Sequence, residues 1–216
     1  MDRRLLAWGR AVKARRAKRD GPVPPPLWLF TDATRLPDPV SVIAGLPVAS
    51  AGVVFRPDGV GDPRQLGRAI ALLCRARRLE LVVAGDVRLA HRLRAGVHLR
   101  SARRPGVVKP APARRITCSA HTPGELRRGA ALGATIAFLS PAFPTESHPG
   151  VRTLGAVRWS AIAHRFGSRL RIFALGGVTG ESVRRLSPRV SAGAAAITAL
   201  RPDAMCPRSN SVSRKP

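Results

Sequence analysis

Short apolar runs recur along this chain, and most end in a polar or glycine-rich turn. They are Leu27–Phe30, Gly52–Phe55, Leu81–Ala84, Gly96–Leu99, Ile116–Cys118, Ala134–Leu139, Arg171–Leu175 and Ala194–Ile197. Each has the length of a buried strand, and helix-like segments lie between most of them. Strand and helix in alternation imply a parallel sheet covered by helices. Eight such units in 216 residues predict an α/β fold, a single (β/α)8 TIM barrel with its active site at the strand C-terminal ends.

The stretch Gly133–Gly150, GATIAFLSPAFPTESHPG, concentrates the chemistry. Its apolar run breaks into Ser140-Pro141 and Phe143-Pro144, followed by Thr145, Ser147 and His148. A strand cannot continue through two prolines, so the chain leaves the sheet here as a shaped loop. Hydroxyls and a histidine just past a buried strand suit a ligand-facing loop, although a proline-rich turn with incidental polar residues reads the same way.

Other strand ends carry their own signals. Thr31 and Asp32 follow the first run, and Arg56 the second. Asp62-Pro63 predicts a helix start, an N-cap with proline beside it. Asp86 follows the third run, where it can cap the next helix. His98 sits inside the fourth run, as an interior hydrogen-bonded histidine. Ser119 and His121 end the fifth, before a helix start in which Thr122 and Glu125 have capping-box spacing. Gly176-Gly177 follows the seventh, where backbone N–H groups could approach a phosphate, and Thr198 at the eighth would add a hydroxyl.

The net charge of +26 admits two readings. Arginine-rich faces neutralise nucleic-acid phosphates. The alternative is an arginine-biased solvated exterior, and it fits better. The arginines are scattered over all the helical segments, and no aromatics interleave with them for base stacking. A phosphorylated small substrate also suits a positive field. Nucleic acid therefore stays a secondary expectation, and homo-oligomerisation is left open. Cys74, Cys118 and Cys206 are too few and too far apart for a zinc site or a disulfide framework, which suggests a reducing cytoplasm. No stretch predicts a membrane span, because the longest uncharged runs are cut by Pro and Gly.

Three segments follow. Residues 1–26 form a basic N-terminal helical extension and a Pro-rich hinge. In the extension Leu5, Leu6, Trp8 and Val12 share one face, suited to packing on the domain or to lying on a membrane or nucleic acid. Residues 27–200 are the barrel, and 201–216 a disordered tail. The tail lacks the helix that normally closes such a barrel, a gap the N-terminal helix could cover.

The order of motifs resembles the thiamine phosphate synthase family, which also includes thiazole tautomerases of the TenI type. The stretches that carry the likeness are LWLFTD (27–32), GVVFR (52–56), LVVAGDVRLA (81–90) and AGVHL (95–99). They continue with ITCSAH (116–121), SPAFPTESHPG (140–150), ALGGV (174–178) and GAAAITAL (193–200). The resemblance implies a (β/α)8 barrel that joins hydroxymethylpyrimidine diphosphate to thiazole phosphate. Diphosphate is released from an ionising pyrimidine, with Mg²⁺ and basic groups stabilising it. It assigns Arg56, Ser119 and His121 to catalysis, and Arg56, Thr145, Ser147, His148, Gly177 and Thr198 to substrate. Asp86 is left as the metal ligand. The match is uneven. Phe55 and Asp58 stand at a glutamine and a lysine position, Gly85 at an asparagine, His148 at a lysine. Arg103 or a neighbour replaces a second metal-binding aspartate. The phosphate end of the pocket is thus retained and the metal–diphosphate end eroded. Two alternatives follow: a metal-free tautomerase using His121 as acid–base group, or a non-catalytic binder of a phosphate ligand or nucleic acid.

Overall fold

The computed structural model describes residues 1–20, 24–103, 114–145, 150–187 and 190–202, with side chains at 17–20 left undescribed. Eight parallel strands close into a barrel in sequence order. They are β1 (Leu27–Phe30), β2 (Ala51–Phe55), β3 (Glu80–Ala84), β4 (Gly96–Leu99), β5 (Ile116–Ala120), β6 (Ile136–Leu139), β7 (Arg171–Ala174) and β8 (Gly193–Ala196). The helices are α1 (Arg3–Asp20), α2 (Pro39–Ala44), α3 (Pro63–Ala76), α4 (Val87–Arg92), α5 (Pro123–Ala131) and α6 (Gly155–Phe166).

Local chemistry sets these boundaries. Asp38 caps α2 by accepting from the Ser41 N–H, and Asp62 caps α3 by accepting from Arg64 and Gln65. Both are followed by proline, whose missing N–H costs nothing in a first turn. The Ser41 hydroxyl and N–H hold the Asp38 carboxyl below its ordinary value, and the Gln65 N–H does the same for Asp62. Thr122 caps α5 through the Glu125 N–H at 3.2 Å. The expected box is only half made, because the Glu125 carboxylate takes the His121 N–H instead. The Gly176-Gly177 turn is followed by a single 3-10 turn, Ser182–Arg185.

Most strands are buried on both faces, as parallel strands between a barrel lumen and a helical layer should be. Leu27 and Leu29 face the helices, while Trp28 and Phe30 face the lumen. The lumen is filled by an aromatic plug. Phe138 contacts Phe30, Trp28 and Phe173 at centroid distances of 4.9, 5.5 and 5.6 Å. Small residues elsewhere make room for these rings. Trp28 pairs in register with Gly52, where any Cβ would strike the indole. β8 supplies only glycine and alanine.

The N-terminal helix packs on the barrel. Leu5 and Val12 are buried, and Gly9 lies against the Leu27 side chain. Asp2 donates its N–H to the Ala199 carbonyl and accepts from the Gly180 N–H, so the helix begins beside the loops after β7 and β8. Lys13 donates to Ala49 and Ser50, and Arg16 to the Ser191 carbonyl. The helix therefore covers the flank after β8. The expected disordered tail lies almost wholly outside the described residues. No described helix is long and apolar enough to cross a membrane.

Candidate active site

Side chains alternate across a strand, so every second residue faces the lumen. The same parity continues past the strand ends and builds the mouth of the barrel. From Trp28 it reaches Phe30, from Val54 Arg56, and from Val82 Ala84. His98 leads to Arg100, and Thr117 to Ser119 and His121. Phe138 leads to Ser140, and Phe173 to Leu175. These mouth residues line one cavity of about 390 Å³, together with Arg35, Pro141, Thr145, Val151, Gly176 and Ile197.

One side of the mouth is cationic. Asp32, at the end of β1, gathers two arginines: Arg35 at 3.3 Å and Arg56 at 3.5 Å. The Arg56 N–H donates to the buried Thr31 hydroxyl at 2.8 Å, which fixes the start of the loop after β2. Arg100 grips the Asp58 carboxylate with both terminal nitrogens, at 2.9 and 2.5 Å, and also donates to the Ala84 carbonyl at 3.2 Å. Its guanidinium lies against Gly85, where a Cβ would come within 3.0 Å of Arg100 Nε. Gly85 also holds φ +76°, so backbone conformation and the neighbouring arginine both call for glycine there.

The other side carries hydroxyls and backbone. The Ser119 hydroxyl accepts from the Ser101 N–H at 3.0 Å. Ser140 is buried, and Thr145 completes the wall. The Ala142 and Phe143 N–H groups donate to the Leu175 and Gly176 carbonyls, tying the loop after β6 to the loop after β7. His121 stands at the rim, half exposed, with Nδ1 3.1 Å from a Glu125 carboxylate oxygen.

His98 forms part of the floor. It is 2% exposed, its Nδ1 is 2.8 Å from the Thr117 hydroxyl, and it meets Phe30 edge-on. Burial, reinforced by Arg100 and Arg56, pushes its pKa down to about 3. The ring is therefore neutral at ordinary pH and continues the aromatic floor.

Of the residues singled out from sequence, Arg56, Ser119, His121 and Thr145 meet in this cavity. Ser147 and His148 lie outside the described residues. Asp86, Gly177 and Thr198 stand outside the lining formed by the described residues. Asp86 is exposed and accepts from the Leu89 N–H at 2.8 Å, so it caps α4. Gly177 takes φ +62°, and a Cβ there would strike the Phe143 and Pro144 carbonyls, so glycine admits the loop after β6. Thr198 is exposed and begins a 3-10 turn. Sequence reasoning missed Arg35 and Arg100, and gave His98 an interior role without placing it at the site.

The Mg²⁺ implied by the resemblance does not fit the donors present. Among the described residues no group of three or more His, Cys, Asp or Glu could hold a metal ion. Asp86 is a helix cap, Asp58 is clamped by Arg100, and Asp32 is shared by two arginines.

The barrel and its lined mouth define a (β/α)8 protein with a cationic pocket over an aromatic floor. The model of the thiamine monophosphate synthase family matches residues 61–200, and the chain belongs to that family, which serves thiamine biosynthesis. A thiamine-phosphate synthase from Bacillus velezensis is 28% identical over 172 residues, 76% of this chain and 75% of that one. The thiamine phosphate pyrophosphorylase structure from Pyrococcus furiosus superposes with a TM-score of 0.65 at 22% identity, covering 80% of this chain and 85% of that chain. A putative fructose-1,6-biphosphate aldolase from Coccidioides immitis gives 0.56 at 15% identity, over 89% and 80%. These structural likenesses concern the fold. With its family the chain is an enzyme of the transferase type.

Proposed function

We propose that the mouth joins hydroxymethylpyrimidine diphosphate to thiazole phosphate, giving thiamine phosphate and diphosphate. The observation that carries this reading is the pairing of an apolar floor of Phe30, His98, Leu175 and Ile197 with arginines on one wall. A flat ring suits the floor, and its anionic arm suits the arginines. In the reaction the bond between the pyrimidine methylene carbon and the diphosphate oxygen breaks, and its electron pair leaves with diphosphate. The thiazole nitrogen lone pair then forms the new carbon–nitrogen bond. Arg56 stabilises the charge that builds on the departing diphosphate. The hydroxyl side, Ser119, Ser140 and Thr145, orients the second substrate. Ser147, His148, Gly177 and Thr198 join it only as the resemblance implies.

Incubating the purified protein with both substrates and following thiamine phosphate tests this reading. Product at a rate above the protein-free control is expected, and none with Mg²⁺ present would overturn it. The His121–Glu125 contact favours a second reading, thiazole isomerisation with His121 as the proton-transferring group. That reading requires His121→Ala to slow isomerisation about a hundredfold or more, a loss typical of removing such a group.

A further inference from the structure

We propose that this site holds its diphosphate group with the Arg56 and Arg100 guanidiniums and without a divalent cation, Arg100 standing as the fixed positive charge. The inference rests on the substrate class proposed above and concerns how that class is gripped.

Three observations lead to it. The first is the donor set. Mg²⁺ demands octahedral oxygen ligation and is usually held by one or two carboxylates together with substrate phosphates. The carboxylates that could serve at this side of the mouth are already engaged. Asp86 caps α4, Asp58 accepts two hydrogen bonds from Arg100, and Asp32 faces Arg35 and Arg56. The second is written in the sequence. The whole segment from Arg100 to Arg115, between β4 and β5, contains no aspartate or glutamate, so it offers no acidic ligand in any conformation. The third is position. The Arg100 guanidinium lies against Gly85, directly before Asp86, held there by Asp58 and the Ala84 carbonyl. A permanent cation therefore already lies against the turn that precedes Asp86, and positive charge there disfavours a second cation.

Arg100 is also equipped for the task. Three hydrogen bonds hold its fork, from Nη1 to Asp58 and from Nη2 to Asp58 and Ala84. A guanidinium has five N–H donors, so two have no partner among the described residues and can meet an anionic oxygen. A planar fork of permanent charge matches phosphate oxygens. Its clamped geometry leaves little side-chain freedom to lose on binding.

Calorimetric titration of the full chain with inorganic diphosphate provides the test, first in EDTA and then in millimolar MgCl₂. Binding in EDTA is expected, with Mg²⁺ tightening it less than about threefold. Arg100→Gln should weaken binding about tenfold or more in both buffers, the scale of losing charge-assisted hydrogen bonds. Asp86→Asn, which keeps a helix-capping side chain, should leave the affinity unchanged. Melting curves check that each variant is folded. Binding that appears only with Mg²⁺ and vanishes in Asp86→Asn would overturn the proposal, as would no binding in either buffer. No substrate is turned over here, so the outcome stands apart from the coupling assay that tests the reaction.

Discussion

The two sides of the barrel mouth are built by different means. Around β1 to β4 the wall is made of long charged side chains that hold one another: Asp32 with Arg35 and Arg56, Asp58 with Arg100. Around β5 to β8 it is made of short hydroxyls and backbone, with two loops tied by main-chain hydrogen bonds. The first wall can supply charge, the second shape. Ion pairs of partly exposed side chains add little stability, so the charged wall contributes little to folding, and the proposed function gives it a ligand to recognise. The hydroxyl wall earns its rigidity from the backbone, and its side chains can change with smaller consequence.

Removing the floor beneath both walls should have the largest effect. Phe138→Ala would open the aromatic plug and cost about 3–5 kcal/mol of stability, read as a fall in melting temperature. On the charged wall, Arg56→Ala is expected to lower kcat/KM about a hundredfold while melting moves little, since the lost group acts on developing charge. Ser119→Ala on the other wall should cost less than tenfold. Equal losses from the two would erase the contrast.

His98 gives a smaller, pH-dependent effect. Its pKa in the folded chain is about 3, below the ordinary 6.5. Between these values the unfolded chain takes up a proton that the folded chain refuses. The stability contributed by neutral His98 is therefore present above about pH 6.5 and lost as pH falls toward 3, at up to about 1.4 kcal/mol per pH unit. The capping carboxyls Asp38 and Asp62 are held below their ordinary value, and the difference between wild type and His98→Gln across pH 6.5 to 4.5 reports the histidine. His98→Gln should flatten the unfolding free energy across that interval. The smallest effect belongs to Asp86→Ala, about 1 kcal/mol of stability from the lost α4 cap, with coupling activity retained.

Much of the fold was legible in the sequence. β1 and β4 begin and end where the apolar runs do, because each run is bounded by polar or turn residues. β6 starts later than expected, at Ile136, since Gly133 with φ +82° is still part of the turn out of α5. The cavity lining was legible where a polar residue kept the inward parity at or just past a strand end, as at Ser119 within β5 and at Arg56 and His121 beyond β2 and β5. Arg100 obeys the same rule, and extending the alternation from His98 finds it. Gly177 and Thr198 follow a different logic. Gly177 sits where the loop after β6 folds over the loop after β7, a contact between distant segments that no local pattern encodes, and Thr198 opens the 3-10 turn after β8.

The most direct test of the central claim is the initial rate of thiamine phosphate formation from both substrates, measured for wild type, Arg56→Ala and Ser119→Ala under one set of conditions. A working site with an arginine wall predicts product from the wild type, about a hundredfold less from Arg56→Ala, and a modest loss from Ser119→Ala. No product from folded wild type, or an undiminished rate in Arg56→Ala, would contradict it.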